Sequence, residues 1–337
     1  MWELISLLHN GIYFSEILAL TTNTIVLHLS LTERNKDLKE YRNLLLMNII
    51  TDYCATMIGI FNQENVEMTD GLWVHILGSP ANMLPKNIHW LLVGAYSFKL
   101  SITVDVTPIQ FYYRWRLIAK KRKPSVQELV ALFGVAFFNS IVFMCLFGYC
   151  FLISDYKYPD HSFLMSNPYI FNDENPNPTL VVGDLKSIPM LILISMTAIG
   201  NTLIVGMIFY FTYDTYQTMQ KLRSQMHHRT AKLHSQMNRM LFMQTAAVFL
   251  CALLPLGSLV VVMFTAINVP GIGTFINMTL SYIPVINPIS TLLCVKRFRT
   301  RFLHIIWPFV HRSQVAGYDT SASGVEQSKD VTPMTIA

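Results

Sequence analysis

Seven runs of predominantly apolar residues punctuate the chain, at 4–31, 43–61, 88–113, 129–153, 188–212, 240–266 and 272–295. Each approaches or exceeds the roughly 20 residues that a helix needs to cross about 30 Å of hydrocarbon, where backbone amides must pair within their own segment. The pattern predicts seven transmembrane helices, an all-α membrane protein built as one bundle. No inverted or parallel internal repeat of the kind many transporters carry is visible. After 295 the pattern changes. Phe298, Phe302, Ile305, Ile306 and Phe309 recur at helical spacing beside Lys296, Arg297, Arg299 and Arg301, which predicts a short amphipathic helix on the inner leaflet. From Arg312 onward Ser, Thr, Gly, Asp and Lys dominate, and disorder is expected. The chain thus divides into a membrane domain, 1–311, and a tail, 312–337. The connection 154–186 holds Pro159, Pro168, Pro176 and Pro178 among Asn and Asp, and reads as an irregular loop.

Composition supports the membrane reading: 52% of residues are hydrophobic and 13% charged, a surplus of apolar surface that only lipid can cover. Bases decide the orientation, because short loops rich in Lys and Arg stay in the cytoplasm. Loop 32–42 carries Arg34, Lys36, Lys39 and Arg42; six more bases lie in 114–124, five in 214–239 and six from 295 onward. The opposite connections carry only Lys86, Lys157 and Lys186. The N-terminus is therefore expected outside and the tail inside. The net charge of +5 follows from this sidedness, and nucleic-acid binding is not needed to explain it. Glu3 with no basic stretch ahead of the first span argues for a signal anchor over a cleaved signal peptide. Cys54, Cys145, Cys150, Cys251 and Cys294 all fall in or at the end of spans, so an outer disulfide framework is not expected, with Cys150 the one exception to watch. The sequon Asn277-Met278-Thr279 lies inside span seven, where glycosylation is not expected.

Candidate chemistry sits inside the spans. Glu16, Asp52, Lys99 and Asp105 are charged residues at membrane depth, each costing roughly 3 kcal/mol unless it faces the bundle and finds a partner. Lys99 is the only base at its depth, so a pair with Asp52 or with Glu16 is expected, as ligand counter-ion, switch or structural tie. Asp105 lies six residues on, about 9 Å along the axis, in another layer. Pro108, Pro255, Pro284 and Pro288 each remove a backbone donor and give spans three, six and seven places to bend. A ligand pocket is expected to open outward among spans three, five, six and seven, with His89, Trp90, Tyr96, Lys99, Phe264, Asn277 and Tyr282 as candidate contacts. At the inner end of span three, Tyr113, Arg114 and Arg116 precede Lys120-Lys121-Arg122-Lys123; an Arg here can pair within the bundle in one state and offer its donors to a cytoplasmic protein in another. His227, His228 and His234 lack the acids or thiols that would complete a metal set, and no catalytic set or cofactor motif is visible.

These segments carry a resemblance. Tyr113-Arg114-Trp115 after Gly94-Ala95-Tyr96-Ser97, the stretch from Leu38 to Leu46 leading into span two, and Ser281-Tyr282-Ile283-Pro284-Val285-Ile286-Asn287-Pro288-Ile289 followed by Lys296-Arg297-Phe298-Arg299 resemble nematode seven-transmembrane chemoreceptors of the Str superfamily, over essentially 4–303. The delta branch (Srd) is the nearest likeness, with the str, srh and sri branches beside it. The resemblance implies a G-protein-coupled chemosensory receptor of olfactory type. It further implies a small-molecule ligand, a heterotrimeric G protein at Arg114, an arrestin at a phosphorylated tail (Thr320, Ser321, Ser323, Ser328, Thr332, Thr335), and a multi-pass place in the plasma membrane, for sensory neurons the ciliary membrane. More distantly, Asn23, Asp52, Arg114, Pro255 and Asn287-Pro288 are similar to the inner polar network of rhodopsin-like receptors. By that likeness Asp52 and Asn287 would form a water-filled or ion-filled connector. This chain departs from the rhodopsin pattern in having Trp115 after Arg114, no acid before it and no Asn-Pro-x-x-Tyr. The alternative class is a ligand-gated channel or transporter, which would carry current or flux without nucleotide exchange.

Overall fold

The computed structural model describes residues 2–33, 36–69, 71–158, 164, 170, 178–222, 228–255, 257–258, 261 and 271–306. Its spans are α1 (Trp2–Leu31), α2 (Lys36–Asn62), α3 (His89–Ile118), α4 (Val126–Lys157), α5 (Ile188–Leu222), α6 (His228–Val248) and a seventh made of α7 (Ile272–Ser281) and α8 (Ile283–Cys294), followed by α9 (Lys296–Ile306). The seventh span meets α9 at 96°, the right angle expected of a helix that leaves the bundle to lie along the inner leaflet. Arg297 and Arg301 tie α9 to Glu33 at the end of α1, at 3.3 and 3.7 Å.

Span three carries the charges and is the most enclosed. Lys99, Ile102, Val106, Gln110, Tyr113 and Arg114 are all buried along α3. Spans four and five do the reverse, turning Val135, Phe138, Ile199 and Phe209 outward, as lipid allows. Helices α3 and α4 approach through small residues: a side chain at Gly94 would meet the Met144 carbonyl, and one at Gly148 the Trp90 carbonyl. Close backbone approach at small residues is how membrane helices gain packing where lipid removes the hydrophobic drive. Ser125 starts α4 by accepting the Glu128 amide at 3.1 Å.

Two prolines explain the irregular turns. Ahead of Pro255, α6 widens into a π-helical turn at Phe249–Leu253, which relieves the clash of the ring with the preceding turn. Pro284 follows the break at Tyr282 that separates α7 from α8.

The outer side departs from expectation. Strands β1 (Asn65–Thr69), β2 (Leu72–Leu77) and β3 (Thr179–Asp184) form an antiparallel sheet in the order β1-β2-β3, with Thr69 opposite Leu72 and Val74 opposite Val182. The 154–186 connection is therefore not irregular throughout. Its Thr-Leu-Val-Val run is β-branched and apolar enough to add a third strand to the 65–77 hairpin. A two-residue turn closes that hairpin, with Gly71 at φ +78, a conformation that suits glycine. Trp73 and His75 on β2 stack with each other and meet Phe147 and Phe151 of α4 edge-on, so the sheet is a plug packed into the bundle mouth. All five cysteines are free, Cys150 buried among them.

Candidate functional site

Beneath this plug lies a polar cavity between α1, α2, α3 and α7. Ile12, Glu16, Ile58, Gly59, Asn62, Glu64, Tyr96, Lys99, Asn277 and Ser281 enclose about 240 Å³ of atom-free space. Lys99 Nζ lies 3.8 Å from Glu16 Oε1, and both side chains are buried. The partner left open by sequence is thus Glu16. Gly59 makes the meeting feasible: a Cβ there would fall on Glu16 Oε1 and Lys99 Nζ. Glu64 pairs with His75 Nδ1, receives Asn62 Nδ2 at 3.4 Å, and its backbone carbonyl accepts Asn277 Nδ2. Tyr96 meets the His75 ring edge-on at 5.4 Å.

Of the ligand candidates, Tyr96, Lys99 and Asn277 line this cavity. The others do not. His89 Nε2 bonds the Leu84 carbonyl at 2.8 Å, and Trp90 Nε1 donates to the Asn87 carbonyl at 2.8 Å, so both close the turn into α3. Tyr282 is half-buried at the α7–α8 break. Phe264 lies outside the described residues. The expected setting among spans three, five, six and seven gives way to spans one, two, three and seven, because Lys99 turns toward the acid on α1.

A second cavity, about 330 Å³, lies further in among Asn48, Thr51, Asp52, Thr103, Val106, Thr107, Gln110, Gln244, Val248 and Asn287. Asn287 Nδ2 donates to Asp52 Oδ1 at 2.9 Å, while Asp52 Oδ2 and both polar atoms of the Asn48 side chain are buried without hydrogen-bond partners. Gln244 Nε2 donates to the Asn287 carbonyl at 3.1 Å. Asn23 Nδ2 donates to the Pro284 carbonyl at 3.0 Å. That carbonyl is the one Pro288, four residues on, cannot serve, so Asn23 replaces the amide that proline lacks. Asp105 stands apart, accepting Ser101, Asn139 and Ser140, each at 2.9 Å, between α3 and α4.

At the cytoplasmic end Tyr113 and Arg114 are both buried, and Arg114 donates to the Tyr41 hydroxyl of α2. Arg116 points elsewhere, 3.4 Å from Glu128 at the start of α4, where Tyr112 also donates to the same carboxylate. Trp115 Nε1 donates to Asp214 of α5 at 2.6 Å. His227 and the tail from Arg312 lie outside the described residues.

Glu64, His75, Glu67 and Asp214 were missed from sequence. A signal existed for the first three. Asp70-Gly71 stands between Val66/Met68 and Trp73/His75/Leu77, alternating residues around a turn dipeptide, which announces a hairpin. Glu67 anchors that hairpin to span seven, accepting the Gly271 amide at 2.8 Å and Thr274 Oγ1 at 3.4 Å. Burial pushes its carboxyl up to about 7 despite these bonds. Nothing local marks Asp214, whose partner is a tryptophan 99 positions away.

The family described as Serpentine type 7TM GPCR chemoreceptor Str matches residues 9–303. No curated protein matches. Among solved structures, squid rhodopsin superposes with a TM-score of 0.62 at 11% identity, covering 98% of this chain and 93% of that one. At that identity the likeness concerns the fold, a seven-helix bundle with the N-terminus outside. The match is to Str itself, one of the branches the sequence resembles beside delta, and it takes in both polar cavities and the Tyr113-Arg114 end of span three. The chain belongs to the serpentine seven-transmembrane chemoreceptors of the Str family, G-protein-coupled receptors of the membrane.

Proposed function

We propose that a small molecule binds the outer cavity against Tyr96, Lys99 and Asn277, and that Tyr113, Arg114 and Arg116 engage a heterotrimeric G protein when spans two, three and seven rearrange. One observation carries the reading: α3 lines the outer cavity with Tyr96 and Lys99, lines the inner one with Thr103, Val106, Thr107 and Gln110, and reaches Arg114 one turn later. A shift of α3 at Lys99 moves all three levels. Asn23, Asp52 and Asn287 are the inner network that passes the shift to the broken seventh span. Helix breaks at Tyr282 and the proline at 288 give that span its bending points. The tail hydroxyls, Thr320 to Thr335, are proposed as phosphorylation sites read by an arrestin, and the ciliary membrane of sensory neurons as the place of action.

The test is ligand-dependent nucleotide exchange on a purified G protein by the receptor in lipid discs. Arg114→Gln is expected to lower exchange at least tenfold at equal surface expression. A ligand-gated current in cells stripped of G-protein signalling would overturn the reading and favour a channel.

A further inference from the structure

The outer ion pair is spaced for something to stand between its members. At 3.8 Å, Lys99 Nζ and Glu16 Oε1 attract but do not hydrogen-bond. Glu16 Oε1 is buried without a hydrogen-bond partner, and the structure gives Lys99 no acceptor at hydrogen-bond distance among the described residues. Glu64, the other acid of the cavity, directs its oxygens at His75 and Asn62. One ammonium donor and one carboxylate acceptor are therefore left facing the same small space, with Ile12, Ile58 and the Tyr96 ring as its apolar wall.

We propose that this cavity takes a compact neutral molecule whose polar head both donates and accepts, a hydroxyl on a short apolar tail, and discriminates against carboxylates and amines. The proposal rests on the outer cavity being the ligand site. A hydroxyl oxygen between the two groups accepts from Lys99 Nζ and donates to Glu16 Oε1, so both buried groups gain their missing bond and no net charge enters the bundle. A carboxylate would gain Lys99 but oppose Glu16, and an ammonium would gain Glu16 but oppose Lys99. Either ion also leaves one member of the pair buried and unmatched. Water can bridge the same gap, but the apolar wall rewards a tail, about fourfold in affinity per methylene until the space is full. The space of about 240 Å³ favours a handful of heavy atoms over a drug-sized ligand.

The full chain in lipid discs is titrated calorimetrically with 1-hexanol, hexanoate, hexylamine and hexane, empty discs being subtracted. Saturable binding of 1-hexanol at least tenfold tighter than any of the other three is expected. Charge removal then reverses the preference in opposite senses: Glu16→Gln should favour hexanoate and Lys99→Gln hexylamine. If one variant fails to fold, the other still reads the reversal, and Gly59→Ala, which pushes a methyl into the gap, should weaken 1-hexanol at least tenfold. A wild-type preference for either ion, or equal binding of hexane, overturns the proposal. So does a ranking that neither charge variant alters. Binding of 1-hexanol without nucleotide exchange supports the ligand class while sinking the signalling role. Exchange driven by an ion alone does the converse.

Discussion

In the outer half of the bundle Glu16 faces an ammonium across 3.8 Å, whereas in the inner half Asp52 accepts a carboxamide at 2.9 Å. Both acids are buried, and both cavities include spans two, three and seven. The outer pair is held together by charge, at a distance that leaves hydrogen bonds unmade. The inner contact is a hydrogen bond between a carboxyl and an amide, with further unpartnered polar atoms around it on Asn48 and Gln244. Charge matching tolerates a gap, and a gap can hold a ligand. Hydrogen-bond matching requires contact, which suits a joint between helices. The outer cavity is thus arranged to receive and the inner one to transmit.

The largest break in this comparison is Lys99→Met, which strands Glu16 as an unpaired buried carboxyl. Removing one member of a buried pair costs about 3–5 kcal/mol. Thermal unfolding of the detergent-solubilised receptor should show that loss, and Glu16→Gln added to Lys99→Met should restore most of it. If the single variant melts with the wild type, the pair is not what holds α1 to α3.

Next in size is the clasp between plug and bundle. The Glu67 carboxyl is pushed up to about 7, above its ordinary 4.5, by burial. Its protonated form is the one the fold prefers, so its contribution is complete below about pH 4.5. It is lost as pH rises through 7, because the unfolded chain gives up that proton first. Wild-type stability should therefore fall across about pH 5 to 8, by on the order of 2 kcal/mol. Glu67→Gln should flatten that fall, and parallel melting curves for the two proteins would remove Glu67 from the account.

How much of this was legible beforehand depends on the range over which each feature is written. Seven spans, their orientation and the right-angled last helix follow from run length and from where the bases sit, which are properties of the chain in one dimension. The choice between Asp52 and Glu16 for Lys99 was not, since both acids lie near mid-span. It is decided by Gly59, which opens room on α2, and by Asn287, which engages Asp52 from 235 positions away. Glu64 and His75 were hidden because hydropathy reads their segment as loop, although the alternation around Asp70-Gly71 announced the hairpin. The division of labour between Arg114 and Arg116 also needed three dimensions. Two positions apart on a helix, they diverge, one toward Tyr41 and the other toward Glu128.

A smaller effect is expected from Asn23→Ala, which leaves the Pro284 carbonyl without the donor that Pro288 denies it. The loss should be about 1 kcal/mol, the net worth of one hydrogen bond. Hydrogen exchange should rise in α8 near Ile286 more than elsewhere. Uniform change across the bundle would mean that Asn23 only packs.

Asp52→Asn should have the least effect on stability, and that is its use. The substituted carboxamide oxygen still accepts from Asn287, and its new N–H replaces Asp52 Oδ2, an oxygen that has no partner. Loss of a buried charge offsets any imperfect geometry, so the melting temperature should move by less than the equivalent of about 1 kcal/mol. The matching change outside, Glu16→Gln, removes the attraction across 3.8 Å and leaves Lys99 stranded, so it should cost several times more. Equal losses from the two acid-to-amide changes would mean that Asp52 is also held by charge, and the contrast between a receiving outer cavity and a transmitting inner one would no longer stand.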